Sequence, residues 1–177
     1  MVIAIDDNVV VNLARLFNEP EGRKYLIEKD VPQETVDSLG LLGFSGIANM
    51  AMAIKMSKYY ELGENDVVLT VLTDSMDLYQ SRLKEMHEEF GEYSHTDAAV
   101  NFTRDLHGLT TDYLHELTYA DRRRVHNLKY FTWVEQQGKT YEEILDQWYD
   151  PTYWTELQEQ IPEIDALITE FNAKVGL

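Results

Sequence analysis

Three polar residues, Thr73-Asp74-Ser75, follow the apolar run from Val67 to Leu72. The run is rich in β-branched residues and does not alternate with polar ones, which is typical of a strand covered on both faces. Ligands of open α/β sheets bind outside the carboxyl ends of the strands. The spacing therefore predicts that Thr73, Asp74 and Ser75 lie at a binding position. Ser75 also stands where it could cap the helix predicted from Asp77 onward, and this alternative needs no ligand.

The histidines do not form a metal-binding pattern. None has another at the i, i+4 spacing that places two ligands on one helix face, so the sequence predicts no metal site. The histidines are His87, His95, His107, His115 and His126. Asp112, His115 and Glu116 favour a polar helix face, and an acid–base group is the alternative. Ser45 lies in Gly-Phe-Ser-Gly, which lacks the spacing of a nucleophile elbow.

The first half of the chain has the pattern of alternating strands and helices. Val2 to Ile5 predicts a buried strand that ends in the helix-capping pair Asp6-Asp7. Ile47 to Tyr60 is apolar on most faces, which predicts a helix packed between other layers. The strand from Val67 to Leu72 follows. This order predicts an α/β fold class with a partial doubly wound sheet of few parallel strands.

The second half has helical periodicity, and we predict no further strand after about Gly91. Helices are predicted over 97–106, 112–117 and 121–136. Thr140 with Glu143 forms a capping box for a further helix, and Gly176 closes a last helix that Pro162 opens. The sequence thus predicts an all-helical extension over residues 91–177, after an α/β part over residues 1–90.

Two segments carry a family resemblance. Gly43-Phe44-Ser45-Gly46 precedes an alanine-rich helix, and Thr73-Asp74-Ser75-Met76-Asp77-Leu78-Tyr79-Gln80-Ser81 follows the apolar run. They resemble the Gly-Ile-Ser-Ser-Gly turn and the Pro-Asp-Ser-Gly-Glu-Arg-Tyr-Leu-Ser segment of fold-type II pyridoxal-phosphate enzymes, the family of cysteine synthase and tryptophan synthase β. The similarity covers about the first 90 residues and is best over 41–81. The family's Gly-Glu-Arg triplet is replaced by Met76-Asp77-Leu78, so the substrate class is not specified.

The resemblance implies roles for four cofactor-binding residues. In the family a neutral hydroxyl faces the pyridine nitrogen of pyridoxal phosphate, and here Ser75 would take that place. Gly43 and Gly46 would let the backbone approach the cofactor closely, and Phe44 would lie near it through its backbone. Without the resemblance, Gly43 and Gly46 are equally interpretable as turn glycines.

The lysine and the glycine-rich phosphate loop of the family have no match in this chain. Lys55 and Lys58 lie on a predicted helix and are expected to reach solvent, so neither is nominated, and no catalytic residue is assigned here. The resemblance implies the carboxy-terminal portion or subunit of an enzyme for β-elimination or β-replacement on an amino-acid substrate. A companion subunit or a missing amino-terminal half would complete it. The alternative is a non-catalytic interaction or structural protein that binds a partner through its acidic helical layer.

Composition limits the partners further. Thirty-two acidic against fifteen basic residues give a net charge of −17, which disfavours binding to nucleic acid. The chain has no cysteine, no apolar stretch long enough for a membrane helix and no signal-peptide pattern at its start, so we expect a cytoplasmic protein. The acidic residues after Val134 serve solubility or dock on a basic partner. Arg122-Arg123-Arg124 is expected to pair with this acidic tail or to anchor an anionic substrate or a partner. Self-association is left open.

Overall fold

Residues 1–176 are described by a computed structural model, in which 68% of the chain is helical. Two units are distinguished by their internal contacts. The first covers Met1–Glu116 and the second begins at Leu117.

The first unit is built from six α-helices and two short strands. In chain order they are β1 (Val2–Ile3), α1 (Asp7–Asn18), α2 (Pro20–Glu28), α3 (Gln33–Ser38), α4 (Phe44–Tyr59), α5 (Gln80–Phe90), α6 (His95–Asn101) and β2 (Leu114–His115). Single 3-10 turns cover Leu39–Leu41 and Met76–Tyr79, and a π-helical segment, Phe102–His107, continues α6.

The core of the first unit forms around α1. Asp6 caps this helix by accepting a hydrogen bond from the Asn8 amide at 2.8 Å, as the sequence predicts. Its fully buried side chains include Leu13, Leu16 and Phe17. They pack against α2, α4 and α6. The apolar stripe of α1 thus holds the surrounding helices in place.

The predicted α/β fold class is wrong. The described residues contain one sheet, and it consists of two antiparallel strands, with Val2 opposite His115 and Ile3 opposite Leu114. No parallel strand, and hence no partial doubly wound sheet, is found among residues 1–176. The helix predicted over 112–117 and the absence of strands after Gly91 are also wrong. Val2–Ile3 offers unpaired backbone groups, and Leu114–His115 satisfies them.

The predicted strand from Val67 to Leu72 is extended chain without a strand partner. Its one hydrogen bond to a helix comes from the Asn49 side chain, which donates to the Val71 carbonyl oxygen at 2.9 Å. Leu69 is 90% exposed and Val67 is 81% exposed. A strand forms only when a neighbouring strand accepts its backbone hydrogen bonds. The described chain supplies no such neighbour here.

Up to residue 176, the second unit consists of four α-helices with little core. They are α7 (Tyr119–Asn127), α8 (Tyr141–Tyr149), α9 (Tyr153–Glu159) and α10 (Ile161–Val175), with a π-helical segment at Tyr130–Val134. The predicted capping box is confirmed, since the Thr140 hydroxyl accepts from the Glu143 amide and the Glu143 carboxylate accepts from the Thr140 amide. Gly176 ends α10 in the left-handed conformation, also as predicted.

Candidate functional site

The glycine turn and the segment after the extended run lie against each other. Gly43 is the residue before α4, and its amide donates a hydrogen bond to the Asp74 carbonyl oxygen at 2.8 Å. A β-carbon at position 43 would lie 2.6 Å from that oxygen and 3.1 Å from Cε2 of Tyr79. The approach of Asp74 therefore requires glycine at position 43. The two segments that carry the resemblance thus meet through the protein's own backbone.

Gly46 has more room. It lies in the first turn of α4, where a β-carbon would contact Cδ2 of Leu42 at 3.4 Å and Cδ2 of Leu72 at 3.7 Å. Both atoms end flexible side chains. Internal packing alone therefore does not demand glycine at position 46.

Ser75 is half-buried and stands before the 3-10 turn Met76–Tyr79. Its hydroxyl makes no capping hydrogen bond to that turn. Instead it donates to Oδ2 of Asp77 at 3.3 Å, which is a long bond for two oxygen atoms. The hydroxyl is therefore not engaged as a cap, and it can donate to a ligand at the cost of one weak contact.

Phe44 and Tyr79 form one wall of an open groove. Their rings meet edge to face with centroids 5.1 Å apart. The Tyr79 hydroxyl donates to Oδ2 of Asp74 at 3.0 Å, and this hydrogen bond, more than burial, raises the pKa of Tyr79 above its ordinary value. The groove has a volume of about 520 Å³. Its lining residues are Asp7, Val10, Val11, Phe44, Ser45, Ala48, Tyr79 and Arg82.

Of the four predicted cofactor-binding residues, Phe44 lines this groove, while Gly43, Gly46 and Ser75 are not among its lining residues. Sequence reasoning missed Arg82 as a cation at the groove. The Arg82 guanidinium donates to Glu85 at 2.8 Å, and this bond raises the pKa of Arg82. Nothing in the local sequence distinguishes Arg82 from other surface arginines.

The expectation that Lys55 reaches solvent is wrong. Its side chain is buried, and its ammonium group donates to the Ala4 carbonyl oxygen at 3.0 Å and lies 3.5 Å from Asp112. Eleven residues of α4 separate it from Phe44, about 16 Å along the helix axis. Lys58 donates to the carbonyl oxygens of His107 and Leu109. Both lysines form hydrogen bonds that hold α4 against neighbouring segments of the chain, so neither contributes to the groove.

The residues interpreted as a polar helix face make separate structural contacts. A hydrogen bond from Thr110, followed by the charge of Lys55, lowers the pKa of Asp112. Glu116 accepts a hydrogen bond from the Tyr60 hydroxyl at 2.7 Å, which raises the pKa of Tyr60. These contacts join the end of α4 to the chain around β2.

The second unit leaves most of its apolar surface exposed. Among its described residues, Ile144 and Gln147 are buried. The π-helical aromatic Phe131 and the α9 residue Trp154 are each more than half exposed. Within α7, Arg124 pairs with Asp121 at 3.7 Å, and the Arg123 guanidinium lies over the Tyr149 ring. This surface is open to a partner chain.

No group of three or more metal-ligating side chains is found within residues 1–176. No helix in the described part of the chain is both long and apolar enough to cross a membrane. No protein-family model, no curated protein and no solved structure matches this chain.

Proposed function

We propose that this chain is the carboxy-terminal part of a pyridoxal-phosphate-dependent enzyme that carries out β-elimination or β-replacement on an amino acid in the cytoplasm. A companion subunit or amino-terminal half would supply the lysine and the phosphate loop. The hydrogen bond from Gly43 to Asp74 carries the proposal, because it brings together the two segments that resemble the cofactor site of the family. Gly43 and Asp74 are 31 positions apart in the chain and meet only because the fold brings them together.

In the proposed site, each of the assigned residues of this chain would have one role towards the cofactor. Pyridoxal phosphate, when bound, withdraws electrons from the amino-acid substrate. The Ser75 hydroxyl does not cap the 3-10 turn Met76–Tyr79, and it would donate a hydrogen bond to the ring nitrogen of the cofactor. A neutral donor leaves that nitrogen unprotonated, which suits elimination and replacement. Phe44 would exclude water from one side, and Gly46 would leave space for the cofactor.

The exposed surface supports a companion chain. The protein exposes 12226 Å². Two separate globular domains of about 13.5 and 7.1 kDa would together expose about 10,600 Å². The excess of roughly 1,600 Å² is about twice the area, about 800 Å², that each partner buries in a standard protein–protein interface. Val67–Leu72 contributes to this excess, because four of its apolar side chains are exposed and no strand pairs with it.

A visible-absorbance titration with pyridoxal phosphate tests the proposal. The full chain is titrated alone and together with any polypeptide that co-purifies with it. We expect an absorption band of lysine-bound cofactor only in the presence of the companion. Absence of the band in both samples would overturn the proposal.

The role of Ser75 is tested in the same complex. Ser75→Ala should change the position or intensity of the band, because the ring nitrogen loses its hydrogen-bond donor. Ser38→Ala is the matched control, since the Ser38 hydroxyl is exposed and donates to the Thr35 carbonyl oxygen. An identical spectrum for Ser75→Ala and the unaltered protein would remove Ser75 from the site.

A second candidate function is that of a non-catalytic interaction protein. The observation that favours it is the scarcity of buried residues in the second unit, whose acidic helical surface would bind a partner. The internal packing requirement for Gly43 is compatible with it, because that glycine needs no cofactor to explain it. A stable complex with a companion that never binds pyridoxal phosphate would favour this function.

A further inference from the structure

The last helix, α10, has almost no tertiary packing. All its side chains are exposed except that of Asn172, which is half-buried. Between 47% and 61% of each large apolar side chain is exposed. These residues are Ile161, Ile164, Leu167, Ile168, Phe171 and Val175. An isolated helix of this length is marginal in water, and a partner that covers the apolar side would stabilise it.

The spacing of the apolar residues identifies the kind of partner. Five of them recur at intervals of three, four, three and four residues, which is the a and d pattern of a coiled coil. The a positions are Ile161, Ile168 and Val175, and the d positions are Ile164 and Phe171. All three a positions are β-branched, as in parallel pairs, while the d positions hold isoleucine and phenylalanine and not the leucine that most favours two strands. We call these five residues the α10 seam.

The charges beside the seam permit pairing with an identical helix. In a parallel pair, each g position faces the next e position of the partner helix. Here Gln160 would face Asp165, and Leu167 would face Asn172, so no two like charges meet. The acidic residues Glu163 and Glu170 lie at c positions and point away from the seam. The net charge of −17 therefore does not bear on the contact itself.

We propose that α10 is a dimerisation helix, which pairs in parallel with α10 of a second copy of this chain through the α10 seam. Covering the seam and Leu167 would remove roughly 600 Å² from water on each helix, or about 1,200 Å² in total, which reaches the lower limit for a specific interface. The inference rests on the second unit alone and does not depend on the proposed enzymatic function.

Sedimentation equilibrium of the full chain over a range of concentrations tests the pairing. The expected species is a dimer of about 41 kDa, twice the 20.6 kDa of one chain. The double variant Ile168→Lys with Phe171→Lys should weaken association by about a hundredfold or more, because two charges would be buried. The control, Thr169→Lys with Ala173→Lys, adds the same charge at b and f positions and should remain a dimer.

The orientation is tested with single cysteines, since the chain has none of its own. Ile168→Cys should form an intermolecular disulfide on mild oxidation, because identical a positions face each other in a parallel pair. Ala173→Cys, at an outward f position, should not. A monomeric chain, a larger assembly, or a dimer insensitive to the seam lysines would overturn the proposal. Failure of Ile168→Cys to cross-link would overturn the parallel arrangement.

Discussion

Replacing Gly43 by alanine is the sharpest test of the contact between the two segments of the candidate site. The new β-carbon would lie 2.6 Å from the Asp74 carbonyl oxygen, about 0.8 Å closer than comfortable contact. Asp74 must move, and the 2.8 Å hydrogen bond from the Gly43 amide is then weakened or lost. The Tyr79 hydroxyl, which donates to the Asp74 carboxylate, would be displaced with it.

The magnitude follows from three contributions. Overpacking against backbone costs about 1–3 kcal/mol, and loss of a backbone hydrogen bond costs about 0.5–1.5 kcal/mol. Alanine lowers the conformational entropy of the unfolded chain, which stabilises the folded state by about 0.4–1 kcal/mol. The free energy of unfolding should therefore fall by about 2–3 kcal/mol.

Urea unfolding of the full chain, followed by far-ultraviolet circular dichroism, measures this change. Gly40→Ala is the matched control, because a β-carbon at position 40 meets nothing within 4 Å. Its stability should stay within about 0.5 kcal/mol of the unaltered protein. Trp133, Trp148 and Trp154 all lie in the second unit, so tryptophan fluorescence reports separately on that unit. If Gly43→Ala proves as stable as Gly40→Ala, the close approach of Asp74 to the glycine turn is refuted.

Burial raises the pKa of Tyr93 to about 12 from its ordinary value of 10. The folded state therefore favours the neutral phenol, and this contribution to stability is intact below pH 10 and is lost as the pH rises towards 12. Tyr93→Phe should reduce this alkaline loss by roughly 2 kcal/mol in urea unfolding at pH 9 and pH 12, and equal losses in both proteins would contradict it. Lys55→Met should lower the free energy of unfolding by about 1–3 kcal/mol at pH 7, since it removes the charged donor to the Ala4 carbonyl oxygen. Unchanged stability would mean that Lys55 does not hold α4 in place. Leu69→Lys should change the free energy of unfolding by no more than about 0.5 kcal/mol. It should weaken the complex with a companion chain in a pull-down with purified components. Undiminished binding would exclude Val67–Leu72 from that interface.

Local signals in the sequence located several elements well. The caps at Asp6 and Thr140 and the terminating Gly176 depend on hydrogen bonds or backbone angles within a few residues, so sequence alone specifies them. The apolar residues of α1 recur at helical spacing, so its buried face also follows from local sequence. These features do not depend on what the rest of the chain does.

The candidate site was only partly predictable. The proximity of the glycine turn to Asp74 was implied by resemblance, but the steric need for Gly43 became visible only from the position of the Asp74 carbonyl oxygen. Arg82 and the groove beside Phe44 depend on the packing of α1, α4 and α5, for which the sequence has no short-range signal. The burial of Lys55 was missed for the same reason, since its partner Ala4 lies 51 positions away in the chain.

The sequence by itself determined several of the helical segments, the caps at Asp6, Thr140 and Gly176, and the strand-like composition of the run from Val67 to Leu72. The tertiary structure decided whether that strand forms, and in the described chain it does not. A helix satisfies its backbone hydrogen bonds within one segment, so local sequence suffices to specify it. A strand needs a second strand, and β1 finds one in Leu114–His115, more than 110 residues away, while Val67–Leu72 finds none. Pairing over such distances is a property of the whole fold.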